Sequence, residues 1–412
     1  MNNTPKIRYK GYTDAWEQRK LGEISDKITK KNQDIAVEEV FTNSAEFGII
    51  SQRDFFDKDI ANAENIDGYY VVEPDDFVYN PRISTTAPFG PIKRNKLERT
   101  GAMSPLYYVF RPHDIDLSYL EWLFQTTCWH SFMRFNGNSG ARSDRFAITD
   151  KIFNEMPISM PQDIEEQKKL GTFFTELDNL ITFHQRKCDG LKSTKKFMLQ
   201  KMFPKNGEQF PEIRFSGFTD AWEQRKLSDI TSKIGSGKTP LGGKEAYVED
   251  GVCLIRSQNV YDDKVDLTDV VYIDEETDNS MSNSRVTKGD VLLNITGASI
   301  GRSAVYTGVN SANVNQHVCI IRPVEGYESR YIQLNISSSN GQRQIESSQA
   351  GGGREGLNFQ QIGKMSFMFP KSEEQQKIGE FFSSLDNLIT FHQRKSDQLK
   401  MFKKFMLQNM FP

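Results

Sequence analysis

One stretch of sequence occurs twice and decides the architecture. Residues Leu177–Pro204 read LDNLITFHQRKCDGLKSTKKFMLQKMFP, and residues Leu385–Pro412 read LDNLITFHQRKSDQLKMFKKFMLQNMFP. A second pair of near-copies lies upstream of these: Pro5–Leu21 reads PKIRYKGYTDAWEQRKL and Pro211–Leu227 reads PEIRFSGFTDAWEQRKL. The repeat is far longer than the roughly 20–45 residues of a solenoid repeat. The sequence therefore predicts a duplication of a whole domain with its following helix.

The segments between the near-copies diverge. Residues 22–155 and 228–365 share only scattered echoes, such as Gly140-Ala141-Arg142 and Gly352-Gly353-Arg354. This alternation predicts four parts in chain order. They are a variable domain over residues 1–160, a helix over 161–204, a second variable domain over 205–369 and a second helix over 370–412.

Both repeated segments carry apolar residues at alternating spacings of four and three, which is the signature of a coiled-coil seam. His184 and Cys188 interrupt the first seam at the places where His392 and Ser396 interrupt the second. The pattern favours a rigid spacer whose helices pair in pseudo-twofold fashion; an ordinary helical hairpin is the alternative. The seam residues are Leu170, Phe174, Leu177, Ile181 and Leu191 in the first helix and Ile378, Phe382, Leu385, Ile389 and Leu399 in the second.

The start of each helix carries capping signals. Asp163 and Ser372 suit the N-cap position, and Glu166 and Gln375 stand at the spacing of a capping box. The variable domains show short runs typical of strands, including Phe77–Tyr79 and Val252–Ile255, separated by Gly and Asn. Helical stretches are predicted near 117–135 and 331–344. Each variable domain is therefore expected to be mixed α/β, within an α+β chain.

Composition limits the classes of function. The 412 residues carry a net charge of −3, which argues mildly against a protein that binds nucleic acid by bulk charge but leaves room for local basic loops. Four cysteines lie far apart without a C-x-x-C pair, so neither a disulfide framework nor a metal site is expected. No apolar run reaches the roughly 20 residues of a membrane span. A cytoplasmic location is the simplest expectation.

Polar loops of the variable domains carry the donors and acceptors that read DNA. Arg and Lys pair with guanine edges and phosphates, and Asn and Gln pair bidentately with adenine. The alternative is that these loops are merely solvated surface. The candidate DNA-binding residues are Gln52, Arg53, Asn80, Arg82, Lys93, Arg94, Arg142 and Arg145 in the first domain, and Ser236, Lys238, Thr239, Arg256, Gln258, Asn259, Thr296, Arg302, Asn315, Gln316 and Arg354 in the second.

No catalytic motif can be identified. Gly237-Lys238-Thr239 ends like a phosphate-binding loop, but Ser232 stands where its first glycine is required. Asn80-Pro81-Arg82 is the nearest approach to the Asn-Pro-Pro-aromatic motif expected of an adenine methyltransferase, and it fails. Neither a nucleophile with its base nor a histidine metal spacing is present. We therefore predict a chain without catalytic residues and without a metal site.

Several motifs together resemble one family. They are Gly237–Pro240, Gly289–Leu293, Gly297–Arg302, Gly353–Asn358 and Pro370–Gln376, followed by a helix ending in KKFMLQ. This ordered set, carried on a duplicated chain, is similar to the specificity subunit of bacterial type I restriction–modification systems. The resemblance covers essentially the whole chain. The first domain departs from it, with Phe89-Gly90-Pro91 near the place of the Gly297–Arg302 loop.

The resemblance implies a non-catalytic subunit with two target recognition domains, each reading one half of a split sequence in double-stranded DNA. It implies that the two helices pair antiparallel, set the gap between the half-sites and dock two modification subunits. Those subunits would methylate adenine with S-adenosylmethionine, and two restriction subunits would use ATP and Mg. No cofactor is expected on this chain itself.

Two other classes of function stay open from the sequence. A stand-alone DNA methyltransferase or nuclease would have to bind its own cofactor, which a binding assay with S-adenosylmethionine would detect. A structural coiled-coil scaffold would show no sequence-selective DNA binding, and it gives no reason for two unlike domains on nearly identical helices.

Overall fold

The computed structural model describes residues 4–55, 66–139, 144–205, 207–349 and 356–412. The chain divides into two compact units. Unit 1 comprises Met1–His184 and Arg394–Pro412, and unit 2 comprises Gln185–Gln393. Each unit thus contains the beginning of one long helix and the end of the other. The domain boundaries at residues 160, 204 and 369 stay predictions.

Unit 1 is a mixed α/β domain followed by the first long helix. Its strands are β1 (Glu17–Lys20), β2 (Ser25–Lys27), β3 (Val40–Ser44), β4 (Gly48–Ser51), β5 (Tyr70–Val72), β6 (Phe77–Tyr79), β7 (Ile92–Arg94), β8 (Gly101–Met103), β9 (Tyr108–Pro112), β10 (Asn138–Ser139), β11 (Phe146–Ala147) and β12 (Pro157–Met160). Its helices are α1 (Gln52–Phe55), α2 (Leu117–Leu123), α3 (His130–Asn136), α4 (Asp150–Asn154) and α5 (Ile164–Lys201), of which α5 continues into unit 2.

Two four-stranded sheets form the body of this domain. One has the order β2-β9-β6-β7 and is antiparallel throughout; the other has the order β4-β3-β8-β5, with β3 and β8 parallel. The pair β1–β12 stands apart and leads into α5. Aromatic side chains fill the core between the first sheet and the helices, with Phe77 and Phe110 opposite each other and fully buried.

Unit 2 contains the second domain and most of the second long helix. Its strands are β13 (Glu223–Lys226), β14 (Thr231–Ser236), β15 (Tyr247–Val248), β16 (Val252–Ile255), β17 (Val260–Tyr261), β18 (Lys264–Val265), β19 (Val271–Ile273), β20 (Arg285–Val286), β21 (Val291–Asn294), β22 (Ser303–Val305), β23 (Ala312–Val314), β24 (Val318–Pro323) and β25 (Ser366–Phe369). Its helices are α6 (Glu275–Ser280), α7 (Ser329–Ser337), α8 (Ser339–Gln349), α9 (Phe359–Lys364) and α10 (Ser372–Asn409), of which α10 continues into unit 1.

The two domains share one topology despite their divergent sequences. The sheet β14-β24-β21-β22 repeats the order and antiparallel pairing of β2-β9-β6-β7. The sheet β15-β19-β16-β23-β20 repeats the second sheet with an added edge strand, and β16 and β23 are its parallel pair. Loops that follow equivalent strands therefore occupy equivalent places in the two domains.

The segments Pro5–Leu21 and Pro211–Leu227, which we call the first near-copy segments, each anchor a domain to the start of its long helix. Arg8 donates two hydrogen bonds to the Glu166 carboxylate, at 2.7 and 2.8 Å, and a third to the backbone oxygen of Asp14. In unit 2, Arg214 binds Glu374 with two 2.7 Å bonds in the same way. Both glutamate side chains are only 1% exposed. The near-identity of these segments thus preserves a buried ion pair in each unit.

The predicted capping boxes are wrong. Asp163 does cap α5, because its carboxylate accepts the Glu165 amide at 2.8 Å, but Ser372 is already the first residue of α10. The Glu166 carboxylate is held by Arg8 instead of returning to the cap. The Gln375 amide bonds the backbone of Pro370 and Glu328, which ties the start of α10 to the start of α7.

The two long helices pair antiparallel, as predicted. In unit 1 the Phe174 ring lies 5.6 Å from that of Phe411, and further along α5 Asp178 binds Lys403. In unit 2 Lys195 of α5 lies 2.6 Å from Asp386 of α10. The predicted fold class, two mixed α/β domains each followed by a long helix of an antiparallel pair, is therefore confirmed. Of the ten predicted seam residues, Leu191, Ile389 and Leu399 are partly exposed and the rest are buried.

Each helix predicted after the sheets is broken in two. Between α2 and α3 the Thr126 hydroxyl bonds the backbone oxygen of Leu123, a contact that competes with helix continuation. Between α7 and α8, Ser338 adopts an extended backbone, and a Cβ on Gly341 would lie 2.3 Å from the backbone oxygen of Asn335. The sharp corner therefore requires glycine there.

Candidate nucleic-acid interface

Four loops of unit 2 meet at one edge of the domain, which we call interface 2. It comprises residues 236–239, 256–258, 296 and 315–317. The Asn315 amide donates to the backbone oxygen of Ile255, and the Asn315 oxygen accepts from the Gly237 amide. A Cβ on Gly237 would lie 1.5 Å from the backbone oxygen of Val314, so only glycine allows this approach. Backbone contacts thus bring together side chains that are up to about eighty residues apart in the chain.

Side-chain hydrogen bonds connect these loops further. The Thr239 hydroxyl donates to the Gln316 Oε1 at 2.6 Å, the Gln316 Nε2 lies 3.2 Å from the His317 Nε2, and the His317 Nδ1 lies 2.5 Å from the Thr296 Oγ1. Lys238 and Gln316 are exposed on this surface. Predicted residues Lys238, Thr239, Thr296 and Gln316 are therefore brought together.

Other predicted residues of this domain serve the protein's own structure. Asn259 is 2% exposed, and its amide bonds the backbone oxygens of Asp266 and Asp269. Arg256 donates to the Asp269 backbone oxygen, and Gln258 donates to the Asp269 carboxylate. Arg302, in contrast, is exposed. It lies directly before β22, and its guanidinium is 6.0 Å from the Tyr261 ring centre.

The side chains of two predicted loop residues bond to neighbouring residues of the chain. Ser236 is half-buried, and its hydroxyl contacts the backbone oxygen of Gly237. The Asn315 side chain accepts the His317 amide at 3.1 Å and so shapes the loop that presents Gln316. Arg142 and Arg354 lie outside the described residues.

Unit 1 has a cleft of about 580 Å³ at the equivalent edge, which we call interface 1. Gln52, Arg82 and Arg145 line it, together with Thr42 and Tyr107, whose hydroxyl oxygens are 3.3 Å apart. Both arginines are exposed, and their backbones form a bridge. The bridge between Thr296 and Gly356 is its counterpart in unit 2. The two interfaces therefore occupy the same position in the shared topology.

Three predicted residues of unit 1 do not present their polar groups in this cleft. Asn80 lies in its wall, but its amide donates to the Asn43 backbone oxygen and accepts the Arg82 amide. Lys93 donates to Gln125, and burial lowers the pKa of its ammonium group. Arg94 pairs with Asp75 and Glu121 beside α2. Arg53 is exposed next to Gln52 in α1.

A family model for the type I restriction modification DNA specificity domain matches residues 13–193 and again residues 219–401. The chain belongs to this family. Each specificity domain match begins near the first near-copy segment and extends into a long helix, so the family's own repeat coincides with the duplication in the sequence.

Two relatives from one organism and one crystal structure are similar to this chain. It is 26% identical over 216 residues to the MjaX type I restriction enzyme specificity subunit of Methanocaldococcus jannaschii, covering 50% of this chain and 48% of that one. It is 23% identical over 267 residues to the MjaVIII specificity subunit of the same organism, covering 62% and 61%. The chain therefore spans about half to three-fifths of the length of these relatives. A crystal structure of a type I restriction-modification system S subunit from M. genitalium shares the fold, with a TM-score of 0.63 at 13% identity over 99% of both chains.

His317 of interface 2 and Tyr107 and Thr42 of interface 1 were not predicted from the sequence. A histidine directly after Gln316 was the available signal, but its contacts with Thr296 become visible only when the β21 and β23 loops meet. Among the described residues no group of three or more His, Cys, Asp or Glu side chains could hold a metal ion. Within the same part of the chain, no helix is long and apolar enough to cross a membrane.

Proposed function

We propose that this chain is the DNA-specificity subunit of a type I restriction–modification complex, in which interface 1 and interface 2 each read one half of a split target. The observation that carries the proposal is that two unlike polar surfaces stand at the same place on one shared topology. A protein that recognises two different half-sites needs this combination. The shared topology must fix the position of each surface, while the side chains of each surface must contact different bases.

The long helices would set the gap between the half-sites. Each has 38 residues, which corresponds to about 57 Å at 1.5 Å per residue. Successive major-groove faces that a protein can read from one side lie about 34–36 Å apart. Interface 1 contributes exposed Arg82 and Arg145 and interface 2 contributes exposed Lys238, so the basic contacts with base edges would be local and compatible with the net charge of −3.

Exposed apolar side chains on the long helices would dock two modification subunits. Leu180 and Phe183 are 44% and 49% exposed, and their repeat equivalents Leu388 and Phe391 are 46% and 50% exposed. Large apolar groups kept exposed at matching positions of both repeats are typical of a binding surface. The modification subunits would bring S-adenosylmethionine, and two restriction subunits would bring ATP and Mg.

The test of DNA reading is a map of N6-methyladenine in cells that express the chain with its modification subunit, compared with cells lacking the chain. We expect methylation at one split motif that disappears without the chain. An R82A/R145A variant should relax or lose only one half of the motif, whereas K238A should affect only the other half. Identical maps with and without the chain would contradict the proposal.

The docking surface has its own test. An F183S/F391S variant should fold but fail to co-purify with the modification subunit. An N179S/N387S variant, which changes the exposed neighbours of the apolar residues, is the matched control and should retain the partner. Equal recovery of the partner by both variants would contradict docking at this surface.

A further inference from the structure

The polar side chains of interface 2 form one continuous hydrogen-bonded chain across three loops. Thr239 follows β14, Gln316 and His317 lie between β23 and β24, and Thr296 follows β21. The successive distances are 2.6, 3.2 and 2.5 Å. Gln316 and Thr239 are the exposed members of this chain, and the Gln316 amide is held from both sides.

The donors and acceptors in this chain can be assigned from chemistry. The Gln316 Nε2 only donates, so the His317 Nε2 must accept, and the ring proton of the neutral imidazole then resides on Nδ1. From there it is donated to the Thr296 hydroxyl oxygen. At the other end the Thr239 hydroxyl donates to the Gln316 Oε1. The amide of Gln316 thus has a second N–H and a second oxygen lone pair that neither Thr239 nor His317 uses.

The backbone beneath Gln316 is also fixed. The His317 amide donates to the Asn315 side chain at 3.1 Å, and the His317 oxygen accepts the Ile295 amide at 3.0 Å. An exposed glutamine normally loses considerable rotamer freedom when it binds a partner. Here that loss has already occurred on folding, which is the advantage of a preorganised contact.

We propose that Gln316 reads an adenine in the half-site bound by unit 2, donating from Nε2 to N7 and accepting at Oε1 from the N6 amino group. The inference rests on the proposed function. Adenine alone offers an acceptor beside a donor on its major-groove edge; guanine offers two acceptors, cytosine a donor, and thymine an acceptor and a methyl group. Thr239 and His317 are positioning residues, since they act through the orientation of the Gln316 amide.

The test uses the assembled complex and the N6-methyladenine map of the variants. Q316A should leave the split motif intact except at one adenine of one half, where discrimination falls about 5- to 150-fold. Q316E keeps an acceptor but has no donor, so it should move the preference at that position toward cytosine. Q376A changes an exposed amide at the start of α10, outside interface 2, that is bound to Glu380, and should leave this adenine fully specified.

T239V provides the second line of evidence because it keeps the Gln316 amide and removes its Thr239 partner. It should relax the same adenine position by a smaller factor, a change that a merely structural role would not confine to one base. If Q316A abolishes all methylation, the specificity of T239V at this adenine tests the inference instead. The inference is overturned if T239V and Q316A keep the wild-type base preference at every adenine of the motif. It is also overturned if they lose the base preference at a position that is not adenine. A wild-type map without any split motif would overturn the proposed function itself.

Discussion

Removing the Arg8 side chain should destabilise unit 1 strongly. In an R8M variant the Glu166 carboxylate, 1% exposed and bound at 2.7 and 2.8 Å, would be left buried without its cation. Breaking one side of a buried ion pair costs about 3–5 kcal/mol, against about 0–1 kcal/mol for an exposed pair. The lost bond to the Asp14 oxygen adds about 1 kcal/mol.

Hydrogen exchange at the start of α5 measures this effect locally. The R8M variant should exchange its first-turn amides roughly 700- to 20,000-fold faster, the equivalent of about 4–6 kcal/mol. The matched variant R214M should do the same at the start of α10 and leave α5 unchanged. An R8M/E166L variant, in which no buried charge is left, should regain most of the protection. The explanation by a buried, unpaired carboxylate would be refuted if R8M lowered the local free energy of opening by less than about 1 kcal/mol. It would also be refuted if the R8M/E166L variant exchanged as fast as R8M.

Three further outcomes are expected. G171A should lower the free energy of unfolding by about 1–3 kcal/mol, because its Cβ would lie 2.7 Å from the start of α2, whereas G190A on the same helix meets nothing within 4 Å and should gain up to about 1 kcal/mol; urea titration measures both. K195M should destabilise unit 2 by about 1–3 kcal/mol, since Asp263 and Asp386 lose the ammonium group at 2.5 and 2.6 Å and are left sharing Arg330 as their one cation in this cluster; thermal unfolding measures it. Burial lowers the pKa of His130 from 6.5, so the unfolded chain binds the proton first and stability should fall as the pH drops through 6.5; H130F should remove that part of the decline.

The controls for these outcomes are internal to the chain. Equal effects of G171A and G190A would mean that close packing against α2 does not explain the first glycine. For the second prediction, a K195M/D386L variant leaves Asp263 paired one-to-one with Arg330 and should recover part of the loss; no recovery would contradict the role of the excess carboxylate. For the third, an acid transition unchanged in H130F would assign the pH dependence to other groups.

The long helices were predictable from the sequence, whereas the interfaces were only partly so. A seam such as Phe174, Leu177 and Ile181 is a local pattern, and the duplication displays it twice. Strands of two to six residues carry little periodicity, and the surface that unites Thr239 with Gln316 depends on loops that only the sheet brings together. Composition gives no sign that Arg94 pairs with Glu121 of α2 or that Lys93 bonds Gln125 just after that helix.

Glu166 shows the same limit at the level of one residue. Its position three residues after Asp163 favours a local cap, and nothing nearby indicates a partner 158 residues away. The ion pair with Arg8 forms instead of the cap. A buried carboxylate is stabilised more by two charge-assisted hydrogen bonds from a guanidinium than by one hydrogen bond from a backbone N–H. Long-range pairing of this kind is visible only once the first near-copy segment is placed against the helix.

The division of the chain also orders its folding during synthesis. Unit 2 is one uninterrupted stretch, Gln185–Gln393, while unit 1 needs Arg394–Pro412 as well. Phe411, whose ring stacks on Tyr119 at 5.5 Å, therefore leaves the ribosome only after all of unit 2. Until then the aromatic surface around Tyr119 in the first domain stays uncovered. Exposed apolar surface of this kind is bound by chaperones and is prone to aggregate. A ribosome that stops near Gln393 would thus release a finished second half and an unfinished first.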